Sequence, residues 1–370
     1  MTKKLTVVQM LPELDGGGVE RGTLEIGKYL VDHGHKSIVI SGSGRMVEQL
    51  VQEGSEHIDW QVGKKSLSTL CYVKKVRNFL RKTQPDILHL RSRLPAWIGY
   101  LAWKKLPESN RPKLVTTVHG RYSVNKYSGV MVRGEKVIAV SEMIRKYILN
   151  NYAVNPDAIQ VIYRGVDTRE YEFGFMPDEN WQERWFKEFS QTKGAQILTL
   201  PGRLTRLKGH EDFIKIISAL VDSGHKVHGL IVGGVHPKKK QYEEELKKQI
   251  AELDLKSHIT FTGHRNDLKE IISISTIIYS LSSVPESFGR TTLEALSIGR
   301  PVIGYSHGGV QEQLEQIFPE GLISVGSIQK AISTTNLFLN KVPILQPQRT
   351  FTLDSMCSQT LSIYQELCNG

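Results

Sequence analysis

A seven-residue phrase occurs twice in this chain. Leu-Val-Asp-His-Gly-His-Lys spans 30–36, and Leu-Val-Asp-Ser-Gly-His-Lys spans 220–226. Each copy closes a helix on a glycine, the residue that takes a left-handed cap most easily. Each then runs into a new apolar strand, at 37–40 or 230–232. Upstream, each half opens with a strand, a glycine-containing loop and a helix, over 5–30 and again over 197–220. Two separate beginnings of this kind predict an α/β protein with two doubly wound, Rossmann-like domains. A chain of 370 residues is also too long for one comfortable core. The polar, helix-forming segment 178–194 falls between the halves, so the expected domains are 1–175 and 176–351. A terminal helix over about 353–368 carries Leu353, Met356, Leu361, Tyr364 and Leu367 at near-helical spacing.

The net charge of +10 is unevenly placed. Residues 1–175 hold 27 Lys and Arg against 17 Asp and Glu, whereas 176–370 hold 21 of each. The whole excess sits on the first half, which points to an anionic partner there. Segment 69–82 reads as an amphipathic helix with Leu70, Val73, Val76, Phe79 and Leu80 on one side and five basic residues largely on the other. Segment 91–105 mixes Arg91, Arg93, Trp97, Tyr100, Trp103, Lys104 and Lys105. Basic and aromatic residues together suit the edge of an anionic membrane. No apolar run reaches spanning length, and the short basic start lacks a signal-peptide core. The expected location is cytoplasmic, with peripheral contact at the inner face of the membrane. Cys71, Cys357 and Cys368 offer no disulfide framework.

Five motifs fall at predicted carboxyl ends of strands, the edge where open α/β sheets bind ligands. In Pro-Glu-Ser-Phe-Gly-Arg-Thr-Thr-Leu-Glu (285–294), Glu286 lies in the loop and Glu294 about one turn into a helix that begins near Arg290. The N-terminus of that helix suits a phosphate, and flanking carboxylates suit sugar hydroxyls. Pro-Gly-Arg-Leu-Thr-Arg-Leu-Lys-Gly-His (201–210) places Arg203 and Lys208 on one loop, where two cations can clamp a diphosphate. Gly16, Gly17, Gly18 and Glu20 follow the first strand, but Arg21 stands where a dinucleotide fingerprint needs its third glycine. A P-loop is absent as well. His119 ends the strand Leu-Val-Thr-Thr-Val and precedes Gly120. Ser-His-Gly-Gly-Val-Gln-Glu spans 306–312.

These motifs, in this order, resemble those of glycosyltransferase family 4: retaining, nucleotide-sugar-dependent enzymes of the GT-B fold. The resemblance covers nearly the whole chain, and over 91–146 it extends to bacterial lipopolysaccharide and envelope-polysaccharide transferases. It implies two facing Rossmann-like domains with a deep cleft between them and a terminal helix (352–370) that crosses back onto the first. It implies a hexosyltransferase whose donor, most readily a UDP sugar, is held by the second domain. The acceptor, a lipopolysaccharide core or other lipid-linked glycan, is held by the first. By the same resemblance Arg203 and Lys208 receive the departing diphosphate, and Glu286 contacts donor-sugar hydroxyls. Glu294 holds the ribose, and backbone N–H groups around Phe288, Gly289 and Arg290 meet sugar or phosphate oxygens. His119 positions the sugar. Gly16, Gly17, Gly18 and Glu20 form the loop facing donor phosphates and acceptor. The loop at 262–268, with Arg265, cups the base, and 306–312 closes the donor pocket. Val-Ile-Tyr-Arg-Gly-Val-Asp (161–167) departs from the family's Asn-Gly-Val-Asp by carrying Arg164.

No cofactor is expected, and no metal, because the chain contains no Asp-x-Asp and no zinc ligand set. A glycosidase carboxylate pair fits poorly. Its carboxyls stand about 5–9.5 Å apart, whereas a fully helical 286–294 would rise about 12 Å. Two alternatives keep the fold: a phosphorylase or a nucleotide-sugar epimerase. A basic nucleic-acid-binding module leaves the second-half motifs without a purpose, so nucleic acid is not the expected partner.

Overall fold

The computed structural model describes residues 3–235 and 240–369. Contacts divide the chain into two units. Unit 1 runs to Gly165 and resumes at Leu353; unit 2 is Val166–Thr352.

In unit 1 the order is β1 (Thr6–Met10), α1 (Gly18–Asp32), β2 (Lys36–Ser41), α2 (Val47–Gln52), β3 (Glu56–Asp59) and α3 (Tyr72–Thr83). There follow β4 (Ile87–Leu90), α4 (Arg93–Lys104), β5 (Lys113–Val118), β6 (Lys136–Ala139), α5 (Glu142–Asn151) and β7 (Ile159–Val161). The sheet order is β3-β2-β1-β4-β5-β6-β7, and every pairing is parallel. Unit 2 contains α6 (Glu179–Glu188), β8 (Gln196–Pro201), α7 (His210–Asp222), β9 (Val227–Val232), α8 (Lys240–Glu252), β10 (Ile259–Gly263) and α9 (Leu268–Ile274). It continues with β11 (Ile277–Ser280), α10 (Arg290–Ile298), β12 (Val302–Tyr305), α11 (Gly308–Ile317), β13 (Leu322–Ile323) and α12 (Ile328–Asn340). Its sheet is β10-β9-β8-β11-β12-β13, again all parallel. Helices on both faces bury the central strands completely, which is why β1, β4, β9 and β12 read as near-continuous apolar runs.

The repeated phrase is two copies of one helix stop. Gly34 and Gly224 sit at φ 76° and 81°. After α1, Gly34 N–H donates to Val31 O and His35 N–H to Leu30 O, both at 2.9 Å. After α7, Gly224 donates to Val221 O at 2.9 Å and His225 to Leu220 O at 3.0 Å. Both are Schellman motifs that satisfy the last carbonyls before the chain turns into the next strand.

The last helix, α13 (Leu353–Asn369), belongs to unit 1. It buries Met356, Cys357, Leu361, Ile363 and Tyr364 against Leu5, Val7, Ile26 and Leu30. Tyr364 Oη meets His89 Nδ1 at 2.7 Å.

The structure differs from the sequence reading in three places. The helix expected over 69–82 begins at Tyr72, because Ser66 Oγ accepts the Ser68 N–H and draws 67–71 into a 3-10 turn. Leu70 is thereby 55% exposed instead of on the apolar stripe. Strands β3, β7 and β13, all at sheet edges, were not anticipated; they run only four, three and two residues. The division of the chain falls at Gly165/Val166, ten residues before the expected 175/176. Segment 166–175 is tied to unit 2: Val166 N–H donates to Phe351 O at 3.1 Å, and Gly174 N–H to Ile298 O at 2.9 Å. Helix α6 also packs within unit 2, through Trp185. No helix among the described residues is long and apolar enough to cross a membrane.

Candidate functional site

In unit 2 the strand order reverses between β8 and β11. Crossovers leave in opposite directions from such a point, so a crevice opens at the strands' carboxyl ends. The loop after β8 carries Arg203 and Lys208; the loop after β11 carries Glu286. They are joined by Ser283 N–H donating to Leu207 O at 2.8 Å. Gly209 ends the first loop at φ 77°, and a Cβ there would stand 2.1 Å from Leu281 O. Glycine is therefore required for the two loops to approach this closely.

The approach brings Lys208 Nζ to 2.7 Å from Glu286 Oε1. The same oxygen accepts from Ser282 Oγ at 2.6 Å. Burial alone would raise the Glu286 pKa. The Lys208 charge and hydrogen bond, the Ser282 hydroxyl and nearby His307 outweigh that, so it lies below its ordinary 4.5. Glu286 is thus an ionised acceptor at neutral pH, held beside a cation. Half-buried pairs of this kind contribute little net stability; what they provide is a fixed arrangement of charge.

Helix α10 starts directly behind this pair. Gly289 caps it at φ 87° with no side-chain cap, so the positive end of the helix faces the crevice without a protein carboxylate seated on it. Phe288 is buried, edge-on to Phe351 at 6.0 Å, and offers the site backbone only. Glu294 is 6% exposed and pairs with Arg290 at 3.4 Å. Arg203 is exposed, and among the described residues no side-chain partner holds it. Arg265 is engaged elsewhere. It makes a two-point pair with Asp267 (2.8 and 2.7 Å), reaches Glu188 at 3.3 Å and lies over the rings of Trp185 and Phe189. The structure therefore brings together Lys208 with Glu286 and Arg290 with Glu294, and ties Arg265 to α6.

In unit 1 the corresponding reversal lies between β1 and β4. Gly16 and Gly17 follow β1 at φ 154° and 151°. A Cβ on Gly17 would stand 2.6 Å from Glu20 Oε2, and one on Gly16 would stand 2.6 Å from an Arg45 nitrogen. Gly18 opens α1, again without a side-chain cap.

His119, at the end of β5, has its Nδ1 against the guanidinium of Arg164. A guanidinium only donates, so Nδ1 accepts and the ring proton sits on Nε2. Burial first, then the charges of Arg164 and Arg91, push the His119 pKa well below 6.5. Its Nε2 is buried and has no hydrogen-bond partner among the described residues. His119 is therefore a neutral donor suited to a hydroxyl. Arg164, the departure from the family pattern, is what fixes its tautomer.

Sequence reasoning missed His89, and it set Arg91 in a segment suited to a membrane edge, whereas the fold buries its side chain. Arg91 is 1% exposed and donates to Gln9 Oε1 at 2.9 Å. A Cβ on Gly22 would stand 2.5 Å from one Arg164 nitrogen and 3.1 Å from one of Arg91, so α1 passes these cations only because that position is glycine. The available signal was two polar residues at alternate positions, 89 and 91, at the end of an otherwise apolar strand.

Comparison with known proteins gives the family. Residues 16–170 match the family description Glycosyltransferase Family 4, and residues 182–342 match Glycosyl transferases group 1. A crystal structure of a glycosyltransferase from Rickettsia africae is 30% identical, with a TM-score of 0.87 over 98% of both chains. The N-acetyl-alpha-D-glucosaminyl L-malate synthase of Bacillus anthracis is 26% identical over 82% of this chain and 79% of its own. Anabaena HepE, solved in complex with UDP and glucose, shares the fold at TM-score 0.80 and 19% identity, over 97% of this chain and 99% of its own. With two parallel Rossmann-like sheets, a returning terminal helix and matches over both halves, the chain belongs to glycosyltransferase family 4, as a retaining, nucleotide-sugar-dependent glycosyltransferase of the GT-B fold.

Proposed function

We propose that the donor is a UDP sugar held by unit 2 and that the acceptor, held by unit 1, is a lipopolysaccharide core or another lipid-linked glycan. The observation that carries the donor half is the Lys208–Glu286 contact at the β8/β11 reversal, beside the uncapped start of α10. The diphosphate lies against Arg203, Lys208 and the first turn of α10. Glu286, kept ionised, accepts from sugar hydroxyls, and the neutral Nε2–H of His119 donates to one. Glu294, braced by Arg290, holds the ribose. The loop of Gly16, Gly17, Gly18 and Glu20 lets backbone come close to phosphates and acceptor, and Arg265 stabilises the loop that cups the base. The bond from the anomeric carbon to the phosphate oxygen breaks as the acceptor oxygen bonds to the same face. The acceptor's proton passes to the leaving phosphate. Arg203, Lys208 and the helix end stabilise the charge that collects on the diphosphate. No protein nucleophile and no metal take part. HepE's recorded UDP and glucose support the choice of nucleotide.

The acceptor half rests on charge. Unit 1 holds 26 Lys and Arg against 16 Asp and Glu, while unit 2 holds 22 of each. The α4 aromatics expected at a membrane edge are largely absorbed by the fold. Arg133 covers Trp97 and Tyr100, and Arg111 covers Trp103. The exposed apolar groups of unit 1 include Leu70, Val124 and Tyr127, so peripheral docking on an anionic surface uses those with nearby lysines.

A thermal-shift panel of nucleotides and nucleotide sugars tests the donor reading. UDP and one UDP sugar should raise Tm, because ligand that binds only the native form stabilises it by mass action. Equal responses to all nucleotides, or to none, would refute it. Cosedimentation with anionic vesicles that weakens with salt tests the membrane contact; equal partition to neutral vesicles would argue against it.

A further inference from the structure

Segment 306–312 was expected to close the donor pocket. Its contacts in unit 2 give it a further task. The backbone of the β11 loop is gripped along its length by the start of α11. His307 Nε2 donates to Ser282 O at 2.7 Å. Gly309 N–H donates to Glu286 O at 2.8 Å. Gln313 Nε2 donates to Phe288 O and, at 3.3 Å, to Gly289 O. Gly308 and Gly309 make this fit possible. A Cβ on Gly308 would stand 2.5 Å from Glu286 O, and one on Gly309 would stand 2.3 Å from Phe288 Cα. The grip covers the residue that holds Glu286 (Ser282), Glu286 itself, and the pair that leads into α10 (Phe288 and Gly289).

Gln313 is the informative member. It is 0% exposed, as its helix neighbours Val310 and Leu314 are buried, and among the described residues its Oε1 has no hydrogen-bond partner. A half-satisfied buried amide is costly, and what its N–H groups hold, the Phe288 and Gly289 carbonyls, stands against that cost.

We infer that α11 is a brace that sets the donor loop, and that His307 and Gln313 are positioning residues, which act on the ligand only through residues 282–289. The inference rests on the donor-site reading above, and the test separates the two.

The full chain is compared as wild type, Gln313→Leu, Gln313→Glu, His307→Gln, His307→Leu and, as a reference, Lys208→Ala. Amide hydrogen exchange over 282–292, Tm, and affinity for the nucleoside diphosphate that most stabilises the wild type among UDP, ADP and GDP are measured. Gln313→Leu should speed exchange over 282–292 and weaken the diphosphate affinity of the folded fraction about tenfold, roughly the contribution of one hydrogen bond, whichever way Tm moves. Gln313→Glu should be worse, because a carboxylate there faces two carbonyl oxygens. His307→Gln, which keeps a donor, should stay near wild type in exchange, whereas His307→Leu should not. A residue that only fills the core would lower Tm and leave the affinity of the folded fraction untouched. Should the leucine variant not fold, Gln313→Met keeps the side chain's length and serves the same purpose. If Lys208→Ala loses affinity while Gln313→Leu keeps wild-type affinity and exchange, the brace is refuted. If Lys208→Ala itself binds like wild type, the donor-site reading has failed instead, and the exchange data still decide the brace.

Discussion

At the scale of single residues, the account turns on charges held in place before any ligand arrives. Glu286 has a pKa held below 4.5, so its charged form is present above that range and is lost as pH falls through the lowered value. Transfer activity should stay constant from neutral pH down to about pH 5 and collapse only in stronger acid, as a pH–rate profile would record. Glu286→Gln, which keeps shape and loses charge, should reduce kcat/KM by about 100-fold or more with little change in Tm; a profile of wild type and variant settles this. Much of this site was legible in the sequence. Lys208 and Glu286 sat in two punctuated loops following strands, and Arg290 and Glu294 in the first turns of the helix after the second loop. The roles of Arg91, Arg164 and Gln313 were not legible, because each depends on what lies across the sheet or on the next helix. Arg164 was visible as a departure, but its partner His119 lies 45 positions away.

At the scale of elements, the repeated phrase offers a matched pair of substitutions. Gly34 and Gly224 both hold positive φ, and a Cβ on either would meet no atom closer than 3.9 Å. Replacement by alanine therefore introduces backbone strain without a clash. Each of Gly34→Ala and Gly224→Ala should cost about 1–2 kcal/mol, measured by denaturant unfolding. Helix α13 offers a second test. Tyr364→Phe removes the hydroxyl that meets fully buried His89 and should destabilise by about 1–3 kcal/mol. The terminal helix was readable from its apolar spacing, and the central strands from their unbroken apolar runs. The edge strands β3, β7 and β13 were not, because runs of two to four residues are too short to show a period. The start of α3 was missed because a serine hydroxyl, not a periodic pattern, decides it.

At the scale of the whole molecule, both units bury histidines in their neutral form. His89 and His119 in unit 1 have pKa values pushed well below 6.5 by burial, and His210 and His228 in unit 2 are lowered to about 4 by burial. The unfolded chain takes up these protons below about pH 6.5, whereas the folded chain does not. Stability should thus be constant above that pH and fall steadily towards pH 4. His210 alone accounts for roughly 3 kcal/mol at the lower end. Tm measured at intervals from pH 7.5 to 4.5 would record that decline; a flat curve would mean the histidines accept protons without unfolding. The charge division also belongs to this scale. It was legible in full from the sequence, because it needs no knowledge of contacts.

The central claim is that the reversal point of the second sheet receives the diphosphate. A crystal structure of the protein with bound UDP tests it most directly. The account predicts the β-phosphate within hydrogen-bonding distance of Lys208 and of the first-turn N–H groups of α10, with Glu286 turned towards the place the sugar would occupy. A diphosphate bound away from Lys208 and α10 would contradict it.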